Sequence, residues 1–143
     1  MKFKGEQNFQ HENEQKKGVL IAYLGTPDSP DVLSVRRYLK EFLSDPRIIE
    51  VPKIIWWFVL NIFILNFRSF NSARLYKSIW TDGGSPLLVN CIKIKEKVQK
   101  SLPSNYQVAL GMRYGNPSIK SALNELKEAN CRDNEVNTLF PHY

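Results

Sequence analysis

Apolar and polar positions alternate along this chain in a rhythm that predicts strands and helices in turn. Gly18 to Leu24, GVLIAYL, is a short, nearly all-apolar run that breaks at Gly25 and turns at Pro27. Such a run marks an inner strand of a parallel sheet, buried on both faces. Ligands in these sheets sit beyond the carboxyl ends of the strands, so Leu24, Gly25 and Thr26 are candidates for the floor of a site. The plainer reading leaves Gly25 as a turn residue and no more.

After that strand, Ser29-Pro30 resembles an N-cap followed by proline at the first helical position. Val32, Val35, Leu39, Phe42 and Leu43 then recur at helical spacing up to Ser44, where Asp45-Pro46 ends the run. Arg36, Arg37, Lys40 and Glu41 fall mostly off this stripe and read as a solvated face. Ile54 to Phe67, IIWWFVLNIFILNF, breaks the rhythm: twelve of its fourteen residues are apolar, with only Asn61 and Asn66 interrupting. As a helix it is about 21 Å long, shorter than the ~30 Å hydrocarbon core of a bilayer, so it is not expected to span a membrane. A helix apolar all round is either a core helix or the lip of a greasy pocket resting in a membrane interface. Trp56 and Trp57 beside Lys53 suit the interface, and both readings stay open.

Asn71 is expected to cap a short helix, SARLYKSIW, with Leu75 and Ile79 on one face and Tyr76 and Trp80 alongside. Gly83-Gly84 make a flexible turn, and Ser85-Pro86 opens a helix to about Lys100 with Leu88, Cys91, Ile92 and Val98 inward. The spacing of a phosphate-binding loop is absent, although amides at this helix N-terminus could receive a carboxylate. Tyr106 to Met112 predicts a second strand ending in Arg113-Tyr114-Gly115. Asn116-Pro117 starts a helix whose Ile119, Ala122, Leu123, Leu126 and Ala129 keep a clean period to about Asn130. If the two strands are parallel neighbours, the turn after Leu24 and the turn at Arg113 share one edge, where an arginine followed by a tyrosine could clamp a carboxylate. A solvated arginine is the alternative. Asn134 to Phe140 should be a third strand, but NEVNT lacks the apolar run of a central one. The chain looks cut, with one sheet face left uncovered.

Composition narrows the picture. A chain of 143 residues with 43% hydrophobic and 24% charged residues is one globular domain. The net charge of +6 is spread rather than blocked, which suits a carboxylated ligand or an anionic membrane surface better than nucleic acid. Cys91 and Cys131 form no CxxC pair and read as reduced thiols of a cytoplasmic protein, a disulfide between them being the alternative. Residues 1–17 form a polar tail without the apolar core of a signal peptide, and His11 within it reads as solvated. Residues 18–143 make up the folded unit.

GVLIAYLGTPDSP, VRRYLKEFLSDPRIIEVP, WW, SARLYKSIWTDGGSPLLV, LGMRYGNPSI and LFPHY follow one another in an order and at distances that resemble the amino-terminal half of a bacterial ferrochelatase. The resemblance covers Gly18 to Tyr143. It implies a Rossmann-like, chelatase-type α/β domain with a parallel sheet flanked by helices, one of two similar domains around a cleft, the second being absent here. It implies insertion of ferrous iron, a substrate, into a porphyrin at the end of haem synthesis, with protoporphyrin IX the expected porphyrin. Leu24 then lies under the macrocycle, Tyr76 and Ser85 on the porphyrin wall, Arg113 and Tyr114 against substrate, and Arg68 near the lip. The segment from Ile54 becomes the lip that admits porphyrin and touches the membrane, which places the protein in the cytoplasm at the periphery of the inner membrane.

The family's histidine and glutamate, which supply base and metal contacts, belong to the other half. No catalytic residue, metal ligand or bound cofactor is therefore expected in this chain, Leu24 cannot ligate iron, and His142 is not promoted to that role. Phe58, Phe70 and Asn71 replace two prolines and a basic residue that the resemblance would lead one to expect. The competing readings are a truncated, non-catalytic relic or membrane-associated tetrapyrrole-binding fragment, and a chelatase for another metal and tetrapyrrole. The bulky Trp56-Trp57 segment favours a hydrophobic porphyrin.

Overall fold

The computed structural model describes residues 15–140; His11 and His142 lie outside the described residues. Three parallel strands form one sheet in the order β2-β1-β3. β1 (Lys16–Thr26) lies between β2 (Tyr106–Gly115) and β3 (Cys131–Thr138). The apolar run of β1 explains its central place, since a strand paired on both sides and covered on both faces can carry few polar side chains. Val19 and Ile21 join Val108, Leu110 and Met112 on one face, under Cys91 of helix α4 (Pro86–Ser101). Leu20 and Ala109 join Cys131 on the other face, under Ala122 and Leu126 of α5 (Ile119–Glu128).

Strand and helix boundaries shift in instructive ways. β1 runs two residues further at each end than the apolar run, because edge hydrogen bonding continues past the last apolar side chain. The first helix, α1 (Val32–Leu43), is capped by Asp31 and not by Ser29. Asp31 Oδ1 accepts from the amides of Leu33 and Ser34 at 2.8 and 2.9 Å, while Ser29 donates to the other carboxylate oxygen. A carboxylate outcompetes a hydroxyl for two amides at a helix N-terminus, and these bonds, that from Ser29 foremost, hold the Asp31 carboxyl well below its ordinary range. Ser85 does cap α4 as its Ser-Pro pair predicts, accepting from Leu88 N at 3.1 Å with Pro86 next. Ile92, expected inward, is exposed on that helix, and Cys91 takes the buried position. Ser118 caps α5, one residue after the expected proline start.

The greatest departure lies between α1 and α4. The apolar segment begins in α2 (Lys53–Phe58), widens into a π-helical stretch over Val59–Arg68, and continues directly into α3 (Ser69–Ile79). The whole is one helical run of 27 residues, Lys53–Ile79, almost twice the expected length and long and apolar enough by those two measures to cross a membrane. Asn71 accordingly sits inside α3 and caps nothing. Side-chain amides account for the wide winding. Asn61 Nδ2 donates to Trp57 O at 2.8 Å, and Asn66 Nδ2 donates to both Asn61 O and Ile62 O at 3.1 and 2.9 Å. Amides that engage carbonyls four and five residues back loosen the ladder. The two asparagines that interrupt the apolar run thus shape it. Its buried stripe, Leu60, Leu65, Ser69 and Ala73, lies on the side that packs against α1. The run is laid on the domain by that stripe and turns Ile54, Ile55, Trp57, Phe58, Phe63 and Phe67 outward.

β3 is paired along β1 from Lys16 to Ala22, yet seven of its eight residues are exposed. NEVNT is therefore a strand held by backbone pairing with little side-chain burial, as its polarity foretells.

Candidate functional site at the strand ends

The carboxyl ends of β1 and β2 lie side by side, with Gly25 opposite Tyr114 and Thr26 opposite Gly115. Both glycines have positive φ, +125° at Gly25 and +82° at Gly115, and a Cβ on Gly25 would stand 1.8 Å from Tyr114 O. No other residue fits where the two backbones approach so closely. The glycine that ends the first apolar run is therefore required by contact as well as by the turn. Leu24 sits half-buried between the Tyr23–Met112 and Gly25–Tyr114 pairs.

α1 fastens this edge. Tyr38 OH donates to Gly25 O at 3.3 Å, and Glu41 Oε2 accepts from Gly115 N at 3.1 Å. Glu41 is exposed, as its place off the stripe predicts, and also fastens the strand end. Tyr38 stacks on Phe42, with ring centroids 6.1 Å apart, and Phe42 meets Tyr114 edge-on at 5.2 Å. Burial pushes the Tyr38 phenol well above its usual range, with the tyrosines at 76 and 114 adding to the effect.

Beyond α1, Asp45 gathers the two residues of the Arg113-Tyr114 pair. Arg113 Nη2 and Tyr114 OH both donate to Asp45 Oδ2, at 2.6 and 2.8 Å, and Arg113 Nε donates to Tyr114 OH at 3.0 Å. The other carboxylate oxygen, Oδ1, accepts from Arg47 N at 2.9 Å. The Arg47 amide, then Tyr114 and Arg113, hold the Asp45 carboxyl down to about 2. Burial raises the Tyr114 phenol, and its neighbours in the cluster raise the Arg113 guanidinium further, with the bond to Tyr114 foremost. An expected free carboxylate clamp is therefore an internally paired one, with the Arg113 side chain 33% exposed. Reading the Ser-Asp-Pro-Arg stretch as a helix stop missed this role; the aspartate that ends α1 also begins the turn to Arg47.

Asp45 also lines an apolar groove of about 360 Å³ whose other walls include Leu43, Ile49, Val51, Trp56 and Leu60. Trp56 is fixed there by its indole N–H, which donates to Leu43 O at 2.7 Å. Lys40 and Lys53 stand at the groove's rim. On the other side of α1, a smaller polar recess of about 220 Å³ is lined by Thr26, Asp28, Arg37, Glu41 and Asn116. Among the described residues, Thr26 Oγ1 is buried there without a hydrogen-bond partner.

The remaining expected site residues are dispersed. Tyr76 is half-buried on α3, edge-on to Trp80 at 6.3 Å and close enough to Tyr38 to influence it; burial raises its phenol. Ser85 is buried with its hydroxyl occupied as the α4 cap. Arg68 is exposed at the end of the π-helical stretch. The structure therefore brings Leu24, Arg113 and Tyr114 to one edge and gives Ser85 a structural task. Among the described residues, no group of three or more His, Cys, Asp or Glu side chains stands close enough to hold a metal ion.

A parallel α/β layer with an apolar groove beside the carboxyl ends of adjacent strands is a Rossmann-like fold. Comparison with known proteins narrows the class. The ferrochelatase family model matches residues 16–143, and the chain belongs to that family. It is 48% identical over 147 residues to a ferrochelatase of Alcanivorax borkumensis, covering all of this chain and 43% of the relative. It is 52% identical over 131 residues to one of Coxiella burnetii, covering 92% of this chain and 37% of the relative. A ferrochelatase of Thioalkalivibrio sulfidiphilus is 46% identical over 147 residues, with 40% of its length covered. The chain spans about two fifths of the length of the curated relatives it matches.

Proposed function

We propose that this chain supplies one wall of the porphyrin site of a ferrochelatase, which inserts ferrous iron into protoporphyrin IX. The observation that carries the reading is the family match across residues 16–143, supported by an apolar groove that shares Asp45 with the strand-end arginine and tyrosine. In this reading the groove of Leu43, Ile49, Val51, Trp56 and Leu60 takes the flat apolar macrocycle, and Leu24 at the end of β1 lies under the ring. Propionates meet Arg113, Lys40 and Lys53. Burial of an apolar ring system supplies most of the affinity, and the cations fix its orientation.

Metal insertion also needs a base that takes the pyrrole protons. Asp45 is a poor one, since both carboxylate oxygens accept hydrogen bonds and the group is strongly acidic. In this reading proton removal and iron delivery fall to the histidine and glutamate that the family resemblance assigns to the other half of the fold, and these 143 residues alone bind porphyrin without inserting iron. The outward apolar residues of Lys53–Ile79 rest on the inner membrane from the cytoplasmic side and receive the porphyrin there. A second reading, a membrane-associated tetrapyrrole-binding fragment without chelatase activity, draws on the same exposed residues.

Two measurements on the native protein separate the two. Loss of protoporphyrin fluorescence on adding ferrous iron under anaerobic conditions reports turnover, and a Soret-band titration reports binding. Binding with turnover supports the enzyme, binding without turnover supports the fragment, and absence of binding contradicts both.

A further inference from the structure

Asp45 is separated from Arg113 by 68 residues of sequence, yet it is the acceptor on which that arginine and Tyr114 both converge. The cluster closes on itself: two donors share Oδ2, and the arginine's Nε returns to the tyrosine hydroxyl. The guanidinium lies 5.3 Å from the Tyr114 ring centroid, and Phe42 supports that ring from its other contact. Nη2 and Nε are occupied, which leaves Nη1 as the guanidinium nitrogen without a partner among the described residues. A side chain as long as arginine has many rotamers; this one is fixed at both donors.

We infer that Asp45 is a positioning residue for the porphyrin carboxylate: it holds Arg113 so that Nη1 meets one propionate at the groove's rim. The inference rests on the reading of the groove as a porphyrin site. Asp45 does not attract the ligand, since its own charge opposes a carboxylate. What it contributes is orientation, and the pair presents a directed hydrogen bond in place of a loose positive charge. Orientation outweighs the charge it cancels. An exposed cation gains little from a carboxylate in screened solvent, whereas re-ordering a freed arginine on binding costs more.

The test is a double-mutant cycle on porphyrin affinity in the native protein that carries these residues, using D45N, R113Q and the double variant. Each is titrated with protoporphyrin IX and with its dimethyl ester, followed at the Soret band. D45N should weaken the diacid about 10-fold, as loss of one charge-assisted contact does, and leave the ester within about 2-fold. In the R113Q background D45N should have no further effect. Equal loss for diacid and ester, or additive losses in the cycle, would overturn the positioning role while leaving the porphyrin reading standing. No binding of either porphyrin by the parent protein would overturn the porphyrin reading and the positioning role together. Acid unfolding serves as a second readout: if D45N unfolds along the same acid limb as the parent, the Asp45 contacts are absent and the inference fails.

Discussion

The strand-end edge and the Lys53–Ile79 helical run lie on either side of α1 and are held by opposite means. At the edge, side chains and backbone from residues as far apart as Gly25, Asp45 and Tyr114 satisfy one another's hydrogen bonds around two glycines that nothing larger can replace. Along the helical run, a narrow stripe of Leu60, Leu65, Ser69 and Ala73 is buried while large apolar residues face outward. The first region is over-determined and rigid; the second is anchored along one side only. A porphyrin site needs both, a fixed polar edge to orient carboxylates and an adaptable apolar wall to admit a flat ring.

Substitutions should therefore cost stability unequally. Leu126→Ala, in the fully buried cluster under α5, should lose about 3 kcal/mol in urea unfolding. Gly25→Ala should follow at about 2 kcal/mol or more, because its φ of +125° and the 1.8 Å approach to Tyr114 O admit no Cβ. The same substitution should remove porphyrin binding, as the β1 and β2 ends separate. Trp57→Ser, 58% exposed on the helical run, should change stability by no more than about 0.5 kcal/mol. Its effect should appear instead as reduced co-flotation with anionic liposomes. If Trp57→Ser were as costly as Leu126→Ala, the contrast between the two regions would fail. The partly exposed Lys95–Glu125 pair joining α4 to α5 should matter least: Lys95→Met should shift stability by about 0.5 kcal/mol or less.

Acid should attack the edge through Asp45. Its ordinary value of 3.8 falls to about 2 in the folded protein, so the folded state binds the proton more weakly than the unfolded chain. The stabilisation is complete above 3.8 and is lost as pH falls through about 2. Urea midpoints measured across that window should decline in the parent and decline less in D45N; parallel curves would contradict the cluster.

Much of this was legible in the sequence because local chemistry dictated it. GVLIAYL could only be a buried strand, Ser85-Pro86 only a cap, and the motifs from GTP to MRYGNPS together carried the family. The pairing of β1 with β2, and with it the shared edge of Leu24 and Arg113, followed from two apolar runs alternating with helices. The lost features were long-range or cooperative. Asp45 looked like a helix stop because its partners lie 68 and 69 residues away. The bond of the exposed Glu41 was missed because a helix stripe reports only side-chain burial, and its partner is a backbone amide on another element. The length of the greasy helix was misjudged because Asn71 was read as the cap of a separate short helix, whereas the π-helical stretch runs straight on into α3 and holds Asn71 inside it.

The most direct measurement is the position of bound porphyrin, read from difference electron density in crystals of the native protein soaked with protoporphyrin IX. The expected result is the macrocycle in the groove lined by Ile49, Val51, Trp56 and Leu60, with one propionate within hydrogen-bond distance of Arg113 Nη1. A macrocycle seated elsewhere, or one in the groove with both propionates pointing away from Arg113, would contradict it.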